Sequence, residues 1–392
     1  MNADATPAQT VSVSLRDFLL YFLRLGSLGF GGPIALAGYM QRDLVEQRRW
    51  ISRQDYVEGL ALAQLAPGPL AAQLAIYLGW VRAGVLGATL VGMAFILPSF
   101  LMVLVISVLY IHFGGLPWIQ TAFYGIGAAV IAIIARSAFK LARMTLARDW
   151  LLWLLFSVSA MVTAWTESEI VWVFLLCGLV PLAVRGGPGF FRRGRTLSLA
   201  PWLIWWTSGL HGPASPGTLW TITWYFAEAG AFVFGSGLAI VPFLYGGVVG
   251  EFQWLNERQF LDAVAVAMIT PGPVVITVAF IGYLVAGPVG ACLAALGVFL
   301  PCYLFVVIPA KYFRRQAQNP QVKAFVEGVT AAATGAIAGA GFVLGKRALV
   351  DWTTTLIAIV ALISLLTLKK LPEPLLILAA GIAGVLLFGR VP

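Results

Sequence analysis

Charge is what this chain has least of. Of its 392 residues only 10% are Asp, Glu, Lys or Arg, while 60% are hydrophobic; an ordinary soluble domain carries about 25% charge. That balance excludes a soluble globule and makes the chain a polytopic membrane protein. Histidine is nearly absent: His112 and His211 are the whole supply, and no His/Glu grouping offers a metal site. Cys177, Cys292 and Cys302 lie singly in apolar runs without CxxC spacing, so they read as small core residues rather than metal ligands or disulfides. No GxxxxGK[ST] phosphate loop is present, which leaves an ion gradient or exchange as the energy source. A membrane-embedded reductase finds little support, because there is no flavin or haem motif and no cysteine beside a base. The reading is of a protein that is not an enzyme and has no cofactor. The first fourteen residues lack a basic region and a small-residue cleavage site, so no removed signal peptide is expected.

The formal charge of +9 comes mostly from Lys and Arg clustered between apolar spans. Orientation in a bilayer requires that pattern and nucleic-acid binding does not.

What the chain has in quantity is glycine and proline inside apolar stretches. Leu62-Ala63-Gln64-Leu65-Ala66-Pro67-Gly68-Pro69 recurs as Val266-Ala267-Met268-Ile269-Thr270-Pro271-Gly272-Pro273. Pro-Gly-Pro removes two amide donors, disfavours helix before each proline and puts the most flexible residue between them. The helix must break there. In hydrocarbon such a break is tolerated only where protein buries it or a cavity adjoins it, so matched breaks point to a binding site between two halves. A second pair of interruptions precedes them, Phe30-Gly31-Gly32-Pro33 and Phe234-Gly235-Ser236-Gly237, with Pro33 placed to open a half-helix.

The repeat runs through the chain. At a spacing of 204 positions Phe22, Gly26, Phe30, Trp50 and Pro67 match Phe226, Gly230, Phe234, Trp254 and Pro271. After one deletion a spacing of 203 matches Gly79, Gly84, Pro98 and Gly125 with Gly282, Gly287, Pro301 and Gly328. The division expected is an N-terminal repeat over 15–196, a connecting span or linker over 197–217, and a C-terminal repeat over 218–392. The basic loops swap between halves. Arg42, Arg48, Arg49 and Arg53 face only Arg258 at the equivalent connector, whereas the bare turn at His112 corresponds to Lys311, Arg314, Arg315 and Lys323. Because the positive-inside rule counts Lys and Arg, the swap predicts inverted-topology repeats with Leu197 to His211 crossing the membrane. Lys346 and Arg347 run against this scheme. The glycine-rich and Pro-Gly-Pro segments fit either two full spans or two re-entrant hairpins, and the arginines favour the hairpins.

Phe30-Gly31-Gly32-Pro33, Trp50 and Ala63-Gln64-Leu65-Ala66-Pro67-Gly68-Pro69, repeated in a second half, resemble the chromate ion transporter family in its two-domain form. The likeness covers nearly the whole chain. It implies export of chromate across the bacterial inner membrane, with sulfate as the natural look-alike; composition and spacing by themselves show no chromate. Where Gly32-Pro33 becomes Ser236-Gly237 and Gln64 becomes Met268, the halves differ, so the site is expected to be asymmetric.

The physics agrees with an anion. A half-helix starting at a break presents free amides and roughly half a positive charge. The expected substrate-binding set is Gly31, Gly32, Pro33, Gln64, Pro67, Gly68, Pro69, Gly235, Ser236, Gly237, Thr270, Pro271, Gly272 and Pro273, with close helix packing as the alternative role of the glycines. For scattered glycines such as Gly79, Gly84 and Gly92, packing is the reading preferred. Arg24 and Glu228 occupy equivalent places; either Arg24 attracts the anion and Glu228 couples protons, or the two form a static ion pair joining the halves. Glu58, Asp262 and Glu327 are assigned to solvated helix ends. The arginine connector is read mainly as an orientation signal, with anion gathering as its second role. Competing with a secondary carrier is an anion channel whose broken helices form a fixed filter. The partners expected are a chromate- or sulfate-type oxyanion, protons or a counter-anion, the lipid bilayer and no nucleic acid; the sequence admits a homodimer without requiring one.

Overall fold

The computed structural model describes residues 11–30, 32–113, 116–146, 149–166, 176–177, 179–181, 208–209, 212–232, 234–235, 240–311, 320–349, 351–368 and 372–388. The expected crossing over 197–211 falls almost wholly outside them. Helices dominate. The first half holds α1 (Leu15–Leu28), α2 (Gly32–Met40), α3 (Arg53–Leu65), α4 (Leu70–Phe113), α5 (Pro117–Thr145) and α6 (Trp150–Thr166). The second holds α7 (Pro216–Phe232), α8 (Ile240–Tyr245), α9 (Glu257–Ile269), α10 (Thr277–Ala310), α11 (Pro320–Ala348), α12 (Trp352–Thr367) and α13 (Glu373–Phe388). π-helical turns extend α2 over Gln41–Gln47 and α8 over Gly246–Glu251, at equivalent places.

The helices start where their caps dictate. Ser14 and Ser52 accept the amides of Asp17 and Asp55 at 3.1 and 3.0 Å, and Asn256 closes a capping box with Gln259.

In the first half the glycine-rich and Pro-Gly-Pro segments fold as helical hairpins. Val11 N donates to Arg49 O at 2.8 Å and the Tyr21 hydroxyl reaches Asp43 Oδ2 at 3.4 Å, so α1 runs antiparallel to α2 and its π-helical extension, turning near Gly29–Pro33. In the next hairpin the Tyr77 hydroxyl donates to Glu58 Oε2 at 3.3 Å, which folds α3 against the start of α4 with its turn at Pro67–Pro69. Gly59 lies so close to the Tyr77 ring that a Cβ there would meet it at 2.3 Å. A 13-residue arm such as α3 is about 20 Å long, short of the ~30 Å hydrocarbon core.

α4 then doubles back at Ala83–Gly84. Gly84 has φ of 60°, a left-handed turn that a side chain would strain, and a Cβ built there meets nothing within 4 Å. Packing is therefore not its role, and the sequence reading of Gly84 is corrected. Gly79 and Gly92 do pack: Gly79 abuts the Gly87 backbone, and Gly92 meets Ile76, across the returning arms. The long arm from Val85 to Phe113 is about 43 Å, enough to cross a bilayer. α10 repeats the device at Ala286–Gly287, where φ of Gly287 is 61°.

The halves interlock. The long arms of α4 and α10 cross antiparallel, with Thr89 Oγ1 and the Tyr303 hydroxyl 2.7 Å apart. α11 packs on α5 and α6, and α13 and α12 on α5. Arg82 of the first-half hairpins hydrogen-bonds Val13 O, so their open ends meet beside the start of the long arm. The open end of α9 lies at the other end of that arm, where the Tyr110 hydroxyl donates to Asp262 Oδ2 at 2.6 Å and Arg258 reaches Gln120 O at 2.7 Å. Four helices are long and apolar enough to cross a membrane among the described residues: the segments Leu70–Phe113, Trp118–Lys140, Val274–Ala310 and Glu327–Lys346. Trp150–Trp165, Trp352–Thr367 and Glu373–Leu387 are shorter apolar helices.

Candidate functional site

The hairpin turns meet, and they meet crosswise. Gly68 and Pro69 of the first half pair in parallel with Phe234 and Gly235 of the second. Reciprocally, the Gly272 amide donates to Gly29 O at 3.0 Å. Each Pro-Gly-Pro thus completes its backbone hydrogen bonding on the glycine-rich turn of the opposite half. This is what a helix break in an apolar medium demands, since an unpaired backbone group there costs several kcal/mol.

Glycine is compulsory at both centres. Gly68 has φ of 138° and Gly272 φ of 97°, conformations closed to ordinary side chains. A Cβ on Gly272 would fall 1.9 Å from Ser99 Oγ, and one on Gly68 would fall 2.9 Å from Cys302 Sγ. Ser99 and Cys302 are repeat-equivalent, and each seats its own helix: Ser99 Oγ donates to Gly26 O at 3.3 Å, and Cys302 Sγ approaches Gly230 O at 3.6 Å and Val298 O at 3.0 Å.

Of the residues expected at the site, Gly32, Pro33, Pro67, Gly68, Pro69, Gly235, Pro271, Gly272 and Pro273 lie at these turns. Gly31, Ser236 and Gly237 lie outside the described residues. Gln64 is exposed on the last turn of α3. Thr270 is buried, but its hydroxyl donates to Val266 O and Ala267 O at 3.1 and 3.2 Å, which ties it to its helix. α2 and α4 start at the turns, and the N-terminal end of a helix carries roughly half a positive charge, which favours an anion there without calling on a cation. Arg24 is exposed on α1 and Glu228 half-buried on α7, and they form no ion pair: the pairs among the described residues are Arg42–Asp43 and Arg136–Glu373. The described residues contain no group of three metal-ligating side chains.

Sequence reasoning passed over one residue and misplaced another. Gln73 is wholly buried, its amide nitrogen holds Pro67 O at 2.6 Å, and its amide oxygen has no partner among the described residues. Its signal was a glutamine inside the apolar run Leu70 to Gly79. Asp262 is 4% exposed and bonded to Tyr110, so its assignment to a solvated helix end is corrected. A lone carboxylate within Phe-Leu-Asp-Ala-Val-Ala-Val was the available hint. Among the cysteines, Cys177 and Cys302 are buried as expected, while Cys292 is exposed.

The crossed turns give the repeat a structural purpose, and comparison with known proteins places it. A family model described as Chromate transporter matches residues 16–182 and again 220–385, one match per half. The chain belongs to the chromate transporter family. It is 56% identical to the chromate transport protein of Cupriavidus metallidurans, over 98% of this chain and 97% of that one. It is 57% identical to the probable chromate transport protein of Synechococcus elongatus, over 96% of each, and 31% identical to the chromate transport protein of Pseudomonas aeruginosa, over 98% and 96%. No solved structure matches the chain. Membership makes the protein a transporter rather than an enzyme, in keeping with a multi-pass protein of a bacterial inner membrane.

Proposed function

We propose that the protein is a secondary active exporter of chromate, a sulfate-like divalent oxyanion, from the cytoplasm, and that it confers chromate resistance. Repeats over 15–196 and 218–392, inserted in opposite orientations and joined through 197–217, carry the anion between their crossed turns. The observation that supports this reading best is the reciprocal pairing of Gly68–Pro69 with Phe234–Gly235 and of Gly272 with Gly29. It sets the starts of α2 and α4 beside the turns of the second half, where backbone amides bind an oxyanion without the trap of a full unscreened charge. The opposite placement of the hairpin ends, near Val13 and Arg82 in one half and near Tyr110 and Gln120 in the other, supports the inversion.

Arg24 draws the anion toward the turns and Glu228 takes part in proton coupling. Uptake of labelled chromate into everted vesicles, with and without excess sulfate, tests the substrate and the direction. Saturation and counterflow are expected of a carrier; unsaturable current down any gradient would make the protein a channel. Replacing Glu228→Gln is expected to abolish the response of export to a pH gradient, and an unchanged response removes the proton role.

A further inference from the structure

A cavity of about 730 Å³ opens at the base of the first-half hairpins and runs up to Gly29 and Phe30, the turn that receives Gly272. Three arginines line it: Arg24 from α1, and Arg42 and Arg48 from the π-helical connector and its end. Its acids are already engaged. Asp43 takes the Arg42 Nε at 3.0 Å and the Tyr21 hydroxyl at 3.4 Å, and Asp17 takes the Ser14 hydroxyl at 2.6 Å. The Arg48 guanidinium carbon sits over Trp50, 4.6 Å from the ring centre, with the Tyr21 ring at 5.7 Å. A cation held over a ring face uses its π contact there and can still offer guanidinium N–H groups to an anion. Arg24 forms neither of the ion pairs found among the described residues, and it stands about 7 Å along α1 from Gly29.

The other half builds the opposite. The equivalents of Arg24, Arg42, Gln47 and Arg48 are Glu228, Gly246, Glu251 and Phe252, and those of Asp17 and Asp43 are Thr221 and Gly247, so three cations and two carboxylates give way to two carboxylates and no cation. A tetrahedral dianion has oxygen pairs spaced for the guanidinium fork, and the arginine side alone offers such forks.

We propose that this cavity is a loading site for tetrahedral divalent oxyanions, separate from the crossed turns, in which Arg24 and Arg48 grip the anion before it passes Gly29. The site exists in one half only, so the protein loads anions from the arginine side and presents acid at the corresponding place opposite. This rests on the transport reading for the anion's onward path, while binding can be measured without transport.

The test uses the full-length chain purified in detergent, with radiolabelled chromate or sulfate as the probe, and the same variants reconstituted for flux. Arg24→Gln and Arg48→Gln are each expected to raise the half-saturating chromate concentration about tenfold or more, with maximal flux largely kept, since a charged hydrogen bond lost corresponds to about that factor. Arg24→Lys is expected to recover part of the loss. Lys346→Gln, at the far end of α11, is expected to change nothing. Unchanged half-saturation in both glutamine variants overturns the loading site, even if wild-type transport is intact. Arginine-dependent binding in a protein that moves no chromate would instead leave the site standing and sink the transport reading. If Arg24→Gln is not monodisperse on size exclusion, Arg48→Gln and Arg24→Lys decide by the same criterion.

Discussion

The hydroxyl of Tyr110 donates to Asp262 Oδ2 at 2.6 Å, joining the far end of the first half's long arm to the base of α9 in the second. A carboxylate only 4% exposed depends on that donor across the interface between halves. Tyr110→Phe is expected to destabilise the protein by about 1–3 kcal/mol, the usual cost of an unpaired buried polar group. Adding Asp262→Asn should restore much of that loss, because the amide carries no charge to strand. Thermal unfolding in detergent, followed by tryptophan fluorescence in a double-mutant cycle, measures the coupling; additive effects would show that the two residues act independently.

Gln73 latches the first Pro-Gly-Pro. Replacing it by Leu removes the donor to Pro67 O together with a buried oxygen that has no partner among the described residues, so stability is expected to change little. Transport should fall by about tenfold as the turn loses its 2.6 Å tether, about the value of one hydrogen bond at the site. Flux in vesicles normalised to folded protein checks this, and wild-type flux would demote Gln73 to filler.

Gly272→Ala combines a forbidden φ with a clash on Ser99 Oγ, and is expected to abolish transport and to cost stability. In a Ser99→Ala background the nearest clashing atom is gone while the backbone strain stays. Partial rescue is the expected result, read from expression level, melting temperature and flux together.

Opposed orientation predicts opposed accessibility. Arg49 and Gln253 hold matching left-handed backbone conformations, with φ of 55° and 50°, just before Trp50 and Trp254. With the native cysteines removed, Arg49→Cys should react with an impermeant maleimide in everted vesicles alone. Gln253→Cys should react in right-side-out cells alone; labelling of both from one side would refute the inversion.

Residue order alone is enough to say where the backbone must break, that it breaks four times in a matched pattern, and that the setting is apolar. Proline and glycine act on their own φ, ψ and hydrogen bonds, so Pro67-Gly68-Pro69 declares its break whatever surrounds it. It left open how the arms on either side of a turn lie; contacts such as Tyr77 with Glu58 show that α3 folds back against the start of α4. Tertiary structure alone chose the partners. An orphaned amide needs some acceptor, and no local rule says that Gly272 finds it on Gly29, that Gln73 secures Pro67, or that Asp262 leaves solvent for Tyr110. Those choices depend on how two interlocked halves pack, and packing joins residues that are far apart in the chain.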